Sequence, residues 1–424
     1  MSDEAITSAA EQPATVQNAD RISSRDAWML MAVCLAPFVT QLATFALSPF
    51  LPFIAADLGS TVAVLGQIPA LALLVAAALG LLVGPVADRF GHRPTLLAGV
   101  VASSVGAFAT ALAPSLWVLV PVALIGAGGR SIGLPVAQAV IGTRYEGPAM
   151  RRGMGLVQAT GTLAPIVGIP LVTAIGTVFG WRGAFLALGA LGIVAVGLML
   201  WQLPADDPHE SEPGSEPGGR AARGVSLAAF APLLADRPTL ALYLSAFIRN
   251  LGVWAQFTYL GAYLVQVHGL SAAEVGWAFT ATGVGNFTGS MLTGGPLGRL
   301  PLRGLAVAAP VLIGVCLGSV LALPLGMATV IVLLTLGFVG NGIAIVSQNT
   351  LLVDGSPGGR ATTTSLNQTC MSLGGAIGSS LGGLLLATGG FASLGVLTLA
   401  CNVLAALCLL PSRRGRALTH TGVG

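Results

Sequence analysis

Two arginines, Arg130 and Arg249, lie deep inside long apolar stretches of this 424-residue chain. At 1.5 Å per helical residue, Arg130 sits roughly 20 Å into the stretch 116–142 and Arg249 roughly 16 Å into 238–266. A guanidinium in hydrocarbon is costly, so each one marks a candidate functional site. It offers five N–H donors, no acceptor and a permanent charge. It therefore contacts an anion or a polar neutral solute, or it braces helices through carbonyls and amides. The acids show the complementary pattern. Every Asp and Glu falls in a loop, a tail or the edge of an apolar stretch, and the four histidines lie in loops or tails. Unpaired central arginines give a cavity a positive potential, which favours an anionic or neutral polar solute over a lipophilic cation. Gln41, Gln158, Trp254, Gln256, Tyr259, Asn286, Asn341 and Gln368 join the arginines as candidate substrate-binding residues. Asn250, Gln348 and Asn367 are further neutral polar groups in apolar stretches. Trp254 and Tyr259 stack on a flat solute or anchor packing. Each amide serves an interhelical hydrogen bond or a substrate contact.

The elements that must position these residues are membrane spans. The chain is 54% hydrophobic and only 8% charged, where a soluble domain carries about 25% charged residues. A helix needs about 20 apolar residues to cross a bilayer. Twelve stretches qualify: 28–54, 62–84, 95–113, 116–142, 153–178, 183–203, 238–266, 273–294, 304–325, 328–352, 362–387 and 391–411. The expected fold is an all-α integral membrane protein with twelve transmembrane helices in two pseudo-symmetric six-helix bundles. The 58 glycines suit close helix approach in lipid. The five cysteines have no metal-like or redox spacing and read as small apolar residues. No metal or cofactor is expected.

Orientation follows from arginine, because the chain has no lysine. Arginines cluster before the first span, after the second, fourth, eighth, tenth and twelfth spans, and in the central loop after the sixth, while the opposite side holds only Arg182. The positive-inside rule places both termini in the cytoplasm of a multi-pass protein of the cell's inner (plasma) membrane. The net charge of +3 reflects this bias and gives no sign of nucleic-acid binding. Residues 1–26 form a polar cytoplasmic tail with no signal-peptide core. The N-terminal bundle spans 27–203, an acidic, Pro- and Gly-rich cytoplasmic linker 204–237, the C-terminal bundle 238–411 and a cytoplasmic tail 412–424. Ser226–Ala235 is apolar enough to lie on the membrane surface.

The halves repeat. Gly84, Arg89 and Arg93 recur as Gly294, Arg299 and Arg303, and Leu156, Gln158, Leu163 and Gly168 as Leu366, Gln368, Leu373 and Gly378, all in one register. The run Gly84-Pro-Val-Ala-Asp-Arg-Phe-Gly-His-Arg-Pro94 separates the second and third spans. Gly84 and Gly91 allow tight turns, Asp88 accepts hydrogen bonds or pairs with an arginine, and Arg89 and Arg93 hold the loop on the cytoplasmic side. In the second copy Gly298 replaces Asp88, so a latch built on this loop is asymmetric.

This G-x-x-x-D-R-x-G-x-R pattern resembles the cytoplasmic loop between helices 2 and 3 of major facilitator superfamily transporters. Gly161-Thr-Leu-Ala-Pro-Ile-Val-Gly-Ile-Pro170 is similar to the helix 5 motif of that superfamily's drug:proton antiporters, with Gly161, Pro165, Gly168 and Pro170 matching and Ala164 and Ile169 departing. Phe45–Gly59 resembles the end of helix 1 and Gly180-Trp-Arg-Gly-Ala-Phe185 the turn before helix 6. The resemblance implies a secondary active transporter of a small organic solute, an efflux-type exporter working by alternating access of two halves, monomeric, with protons as coupling ion. The lack of a buried acid argues against the proton. A facilitator or uptake carrier for a small organic anion is the alternative, and a non-transporting membrane receptor of the same fold a third reading. No nucleotide loop, metal cluster or nucleophile–base spacing points to an enzyme.

Overall fold

The computed structural model describes residues 24–145, 147–203, 233, 235–355 and 360–410. The two tails, almost all of the 204–237 linker and the Ser226–Ala235 surface segment fall outside those residues, apart from 24–26, 233 and 235–237. Thirteen α-helices make up the described chain: α1 (Ser24–Phe45), α2 (Leu47–Asp57), α3 (Val62–Leu65), α4 (Gln67–Phe90), α5 (His92–Leu112), α6 (Leu116–Arg144), α7 (Gly147–Leu163), α8 (Ile169–Gln202), α9 (Arg237–His268), α10 (Ala272–Gly294), α11 (Leu302–Ala322), α12 (Met327–Gly355) and α13 (Arg360–Cys408). Hydrocarbon offers backbone N–H and C=O groups no partner, so a spanning segment must satisfy them within its own helix.

Eight helical segments are long and apolar enough to cross a membrane, and two of them, 152–202 and 363–408, hold enough residues for two crossings. The double crossings bend at Gly180 and Gly390, whose φ of 70° and 67° only glycine adopts without strain. Neither α9 nor α10 is in that set of eight. These are the helices that carry Arg249, Asn250, Gln256 and Asn286, so polarity is concentrated where the sequence placed candidate site residues. The first crossing is broken at Ala46 into α1 and α2, and the second at Gly66 into α3 and α4.

Backbone geometry extends the repeat. Gly59 and Gly269, and likewise Gly180 and Gly390, occupy equivalent positions, and all four have positive φ. The 84–94 loop departs from it. Gly91 ends α4 with φ 93°, whereas its counterpart is Pro301, which cannot take that conformation. A short 3₁₀ turn, Pro296–Arg299, stands there instead.

The cores define two ends. One buried cluster combines residues of both halves, from Phe50, Leu65 and Phe185 to Phe257, Phe279 and Leu394. It lies at the end of the bundle carrying the Asp57–Thr61, Gly180, Gly269–Ser271 and Gly390 turns. At the opposite end the cores are separate: Met29, Val100, Ile141 and Met199 belong to one half, and Tyr243 and Leu352 to the other.

Hydrogen bonds tie the halves at the joined end. Ser48 Oγ donates to the Phe257 carbonyl (2.8 Å), Ser379 Oγ to the Gly66 carbonyl (3.1 Å) and Ser380 Oγ to Gln67 Oε1 (2.7 Å). Thr280 Oγ1 donates to the Ile166 carbonyl (3.0 Å). The last bond follows from the helix 5 motif. Pro170 has no N–H to give the carbonyl four residues back, which is that of Ile166. The chain there forms a π-turn, Ala164–Gly168, of the kind that marks functional bends. Gly276 and Gly283 flank Thr280 on α10, and a Cβ on either would meet Thr173 Oγ1 at 2.0 Å or Ile166 Cγ1 at 2.6 Å. Glycine thus brings the halves close enough for the hydroxyl to reach the proline-freed carbonyl.

Thr280→Val keeps the volume and removes this donor. It is expected to loosen the joined end by about 1 kcal/mol. Spin labels placed across the α8–α10 contact should then report a larger fraction of separated distances than the parent; an unchanged distribution would show that the bond carries no weight.

Candidate functional site

Arg130 projects from α6 toward the first crossing and the partner half. Its Nε donates to Thr44 Oγ1 at 2.7 Å. Its guanidinium carbon stands 5.8 Å from the centre of the Trp254 ring on α9, within cation–π range. Nη1 is buried with no hydrogen-bond partner. Trp254 is stacked against Phe45 (6.2 Å, 19°) and lies edge-on to Phe257 (5.6 Å), which in turn packs on Phe279 and Phe338. Arg130 and this aromatic cluster therefore meet at the junction of the halves.

Arg249 is only 1% exposed. Its Nη1 donates to Asn341 Oδ1 at 2.6 Å, and Asn341 Nδ2 donates to Asn286 Oδ1 at 3.0 Å. The chain of bonds runs from α9 through α12 to α10, with Asn286 its partly exposed end. Nε and Nη2 of Arg249 are buried without partners, as are both polar atoms of Gln256, which is 2% exposed. Arg249 and Gln256 are seven residues apart, two helical turns, so they share a face of α9. The ion pair described, Asp57 with Arg182, lies at the joined end and touches neither site arginine.

The remaining candidates disperse. Tyr259 is fully buried, donates to the Ser379 carbonyl at 2.9 Å and packs where a Cβ on Gly66, Gly382 or Gly383 would stand. It anchors packing between α9, α13 and the second crossing. Gln41 lies against Gly161, on the first and fifth crossings. Gln158 is exposed and accepts from Gln138 Nε2 at 3.2 Å; Gln368, its repeat counterpart, is exposed too. Asn250 bonds back to the Ala246 carbonyl on its own helix, Gln348 donates to Ser245 Oγ, and Asn367 donates to Asn349 Oδ1.

Two loop motifs meet in space. Arg182 of the Gly180–Phe185 turn donates Nη1 to Asp57 Oδ2 and Nη2 to the Ala113 carbonyl at 3.3 Å, with its guanidinium 4.3 Å over Trp181. In the other loop, Gly91 caps α4 on the Ala87 carbonyl, Arg89 lies over Phe90, and Arg93 donates to the Leu200 carbonyl at 3.2 Å in the last turn of α8. Gly84 leaves open space beside it. The side chain of Asp88 falls outside the described set.

Sequence reasoning did not single out Thr44, Phe45 or Ser103. Thr44 carried a signal: it occupies the repeat position of Trp254.

The sequence profile of the Major Facilitator Superfamily matches residues 33–379. A chloramphenicol resistance protein of Streptomyces lividans is 30% identical over 332 residues, 76% of this chain and 79% of that protein. The transcription regulatory protein OpdE of Pseudomonas aeruginosa is 29% identical over 413 residues, 95% of this chain and 97% of its own. In fold, an inward-facing, occupied structure of a bacterial homologue of the human lysosomal transporter Spinster superposes with a TM-score of 0.71 at 18% identity, covering 90% of this chain and 96% of that one.

Asn341→Leu should strip Arg249 of its one acceptor and lower stability by about 1–3 kcal/mol. Adding Arg249→Met removes the stranded charge and should recover much of that loss. Thermal unfolding of the detergent-purified variants checks both; a double variant no more stable than Asn341→Leu would show that the pair does not act as a unit.

Proposed function

The chain belongs to the Major Facilitator Superfamily of secondary transporters, and we propose that it exports a small organic solute, neutral or anionic, from the cytoplasm. The observation that carries this reading is a set of buried donors with no acid to meet them: Arg249 Nε and Nη2, Arg130 Nη1 and Gln256 Nε2. Buried donors of this kind call for acceptor oxygens. A carbonyl, hydroxyl, nitro or carboxylate group supplies them, and a lipophilic cation does not. Trp254 and Phe45 add a flat apolar wall for an aromatic part of the solute.

The separate cores at one end and the shared core at the other fit alternating access. With the termini placed inside by arginine, the end with separate cores faces the cytoplasm. Moving to the opposite state must break Ser48–Phe257, Ser379–Gly66 and Thr280–Ile166 and bring the cytoplasmic cores together. Export as the direction, and the drug-exporter branch, rest on the likeness to a chloramphenicol resistance protein. Among the described residues no carboxylate is bonded to Arg130 or Arg249, which argues against a proton carrier beside them. A monomer in the inner membrane suffices for this cycle. The OpdE likeness favours a second reading, a membrane receptor that binds a solute without moving it.

Purified protein in proteoliposomes distinguishes these readings. Chloramphenicol as a neutral aromatic amide and an aromatic carboxylate are expected to be moved, and a cationic dye is not. Arg249→Met should lower flux at least tenfold, the equivalent of about 1.4 kcal/mol. Proton-driven export of the dye at rates matching the neutral solute would sink the proposal. Saturable binding with no flux would favour the receptor.

A further inference from the structure

We propose that a recess inside the N-terminal half receives one compact apolar substituent of the carried solute, and that Ala123 and Gly126 on α6 set its size. This rests on the transport reading above and narrows the class of solute. A cavity of about 70 Å³ lies between the first, second, third, fourth and sixth crossings. Apart from Thr44, Ser103, Thr110 and Arg130, its lining is apolar. An apolar cavity of about 150 Å³ holds a benzene ring. About half that space takes a group of about three heavy atoms, such as an isopropyl or a dichloromethyl, and excludes a ring. The recess selects by shape and by removing apolar surface from water, and no hydrogen bond is asked of it.

The cavity is part open, and burial locates its mouth. Every lining residue from the second, third and sixth crossings is buried. The part-exposed ones are Ala43, Thr44 and Leu47 of the first crossing and Ala123, Gly126 and Arg130 of the fourth. The mouth therefore lies between α6 and the first crossing. There Arg130 Nε donates to Thr44 Oγ1 at 2.7 Å, and the guanidinium stands 5.8 Å from the Trp254 ring of the other half. A solute against the Trp254–Phe45 wall lies at that mouth. Ala123, Gly126, Ala127 and Arg130 follow the spacing i, i+3, i+4, i+7, which puts them on one face of α6. Gly126 and Ala123 lie about 6 and about 10 Å from Arg130 along the helix axis. A solute whose polar group sits at Arg130 thus carries its compact apolar group within about 10 Å of it. The space exists because these side chains are small. A Cβ on Gly126 would have only the Gly106 Cα within 4 Å, at 3.6 Å, so the position accepts a methyl group without displacing a neighbour.

Binding is measured apart from flux, so that the recess and the transport reading fail separately. The full chain in lipid nanodiscs is given an N-acyl series on the amine of chloramphenicol: formyl, dichloroacetyl (chloramphenicol itself) and benzoyl. The rise of melting temperature with ligand concentration gives each Kd. The dichloroacetyl compound should bind about tenfold or more tighter than the formyl compound, the range in which an apolar pocket rewards a group it fits. The benzoyl compound should bind more weakly than the dichloroacetyl one. Ala123→Leu fills the recess and should bring the dichloroacetyl-to-formyl ratio close to one. Gly126→Ala adds a single methyl group where there is room, and should lower the ratio about fourfold; it keeps the test open if Ala123→Leu fails to fold. Equal affinity for the formyl and dichloroacetyl compounds in the parent, a ratio that neither variant moves, or no binding of any member would overturn the recess. Selective binding of the dichloroacetyl compound with no flux in proteoliposomes would overturn the transport reading alone.

Discussion

Hydrocarbon gives polar groups nothing to bond with, and that single constraint orders the whole molecule. It makes every crossing a helix. It turns each proline inside a helix into a local problem, because a carbonyl loses its donor. Here the solution at Pro170 is supplied by the other half: Thr280 donates to the Ile166 carbonyl. A backbone deficit in the fifth crossing thus becomes a contact with the eighth. Ser48 and Ser379 use the same chemistry, hydroxyls donating to helix carbonyls across the junction. Such bonds are modest in strength, which suits contacts that must break and re-form in each cycle.

The same constraint explains why the arginines dominate the interior. Arg249 has one acceptor, Asn341, oriented in turn by Asn286. Arg130 has Thr44 and an aromatic face. Among the described residues neither has an acid. Both remain short of partners in a medium that penalises the shortage. The two halves solve the problem in mirror fashion: in the first, the arginine comes from the fourth crossing and the acceptor from the first; in the second, the arginine comes from the seventh and the acceptor from the tenth.

Duplication set the frame, and divergence set the differences within it. The turn glycines Gly59 and Gly269, and Gly180 and Gly390, keep their positive φ because the hairpin geometry at the joined end demands it in both copies. The Asp57–Arg182 clamp belongs to the first copy alone, since Val267 and Ala392 occupy those places in the second. Likewise the Gly91 turn, with Arg93 bound to the end of α8, has only a 3₁₀ turn and Pro301 opposite it. The two equivalent loops therefore hold their helices by different means.

Sequence by itself determined the class, the twelve crossings, the repeat and the short list of interior polar residues. Each depends on local composition or spacing: apolar length, glycine and proline placement, the position of arginine. It also isolated Arg130 and Arg249, because a charge among twenty apolar neighbours is visible without coordinates. Only the tertiary structure decided which groups meet. Gln158 and Gln368, equivalent in the repeat, are both exposed and Gln158 accepts from Gln138, while Tyr259 is locked to Ser379. Thr44 and Ser103, ordinary small residues in apolar runs, gain their interest from standing beside Arg130 or its cavity. Which end of the bundle shares a core was equally invisible, since both ends are built from the same apolar alphabet. The physical reason is common to all of these: composition sets the cost of burying a group, while the partner that offsets that cost comes from a helix far away in sequence.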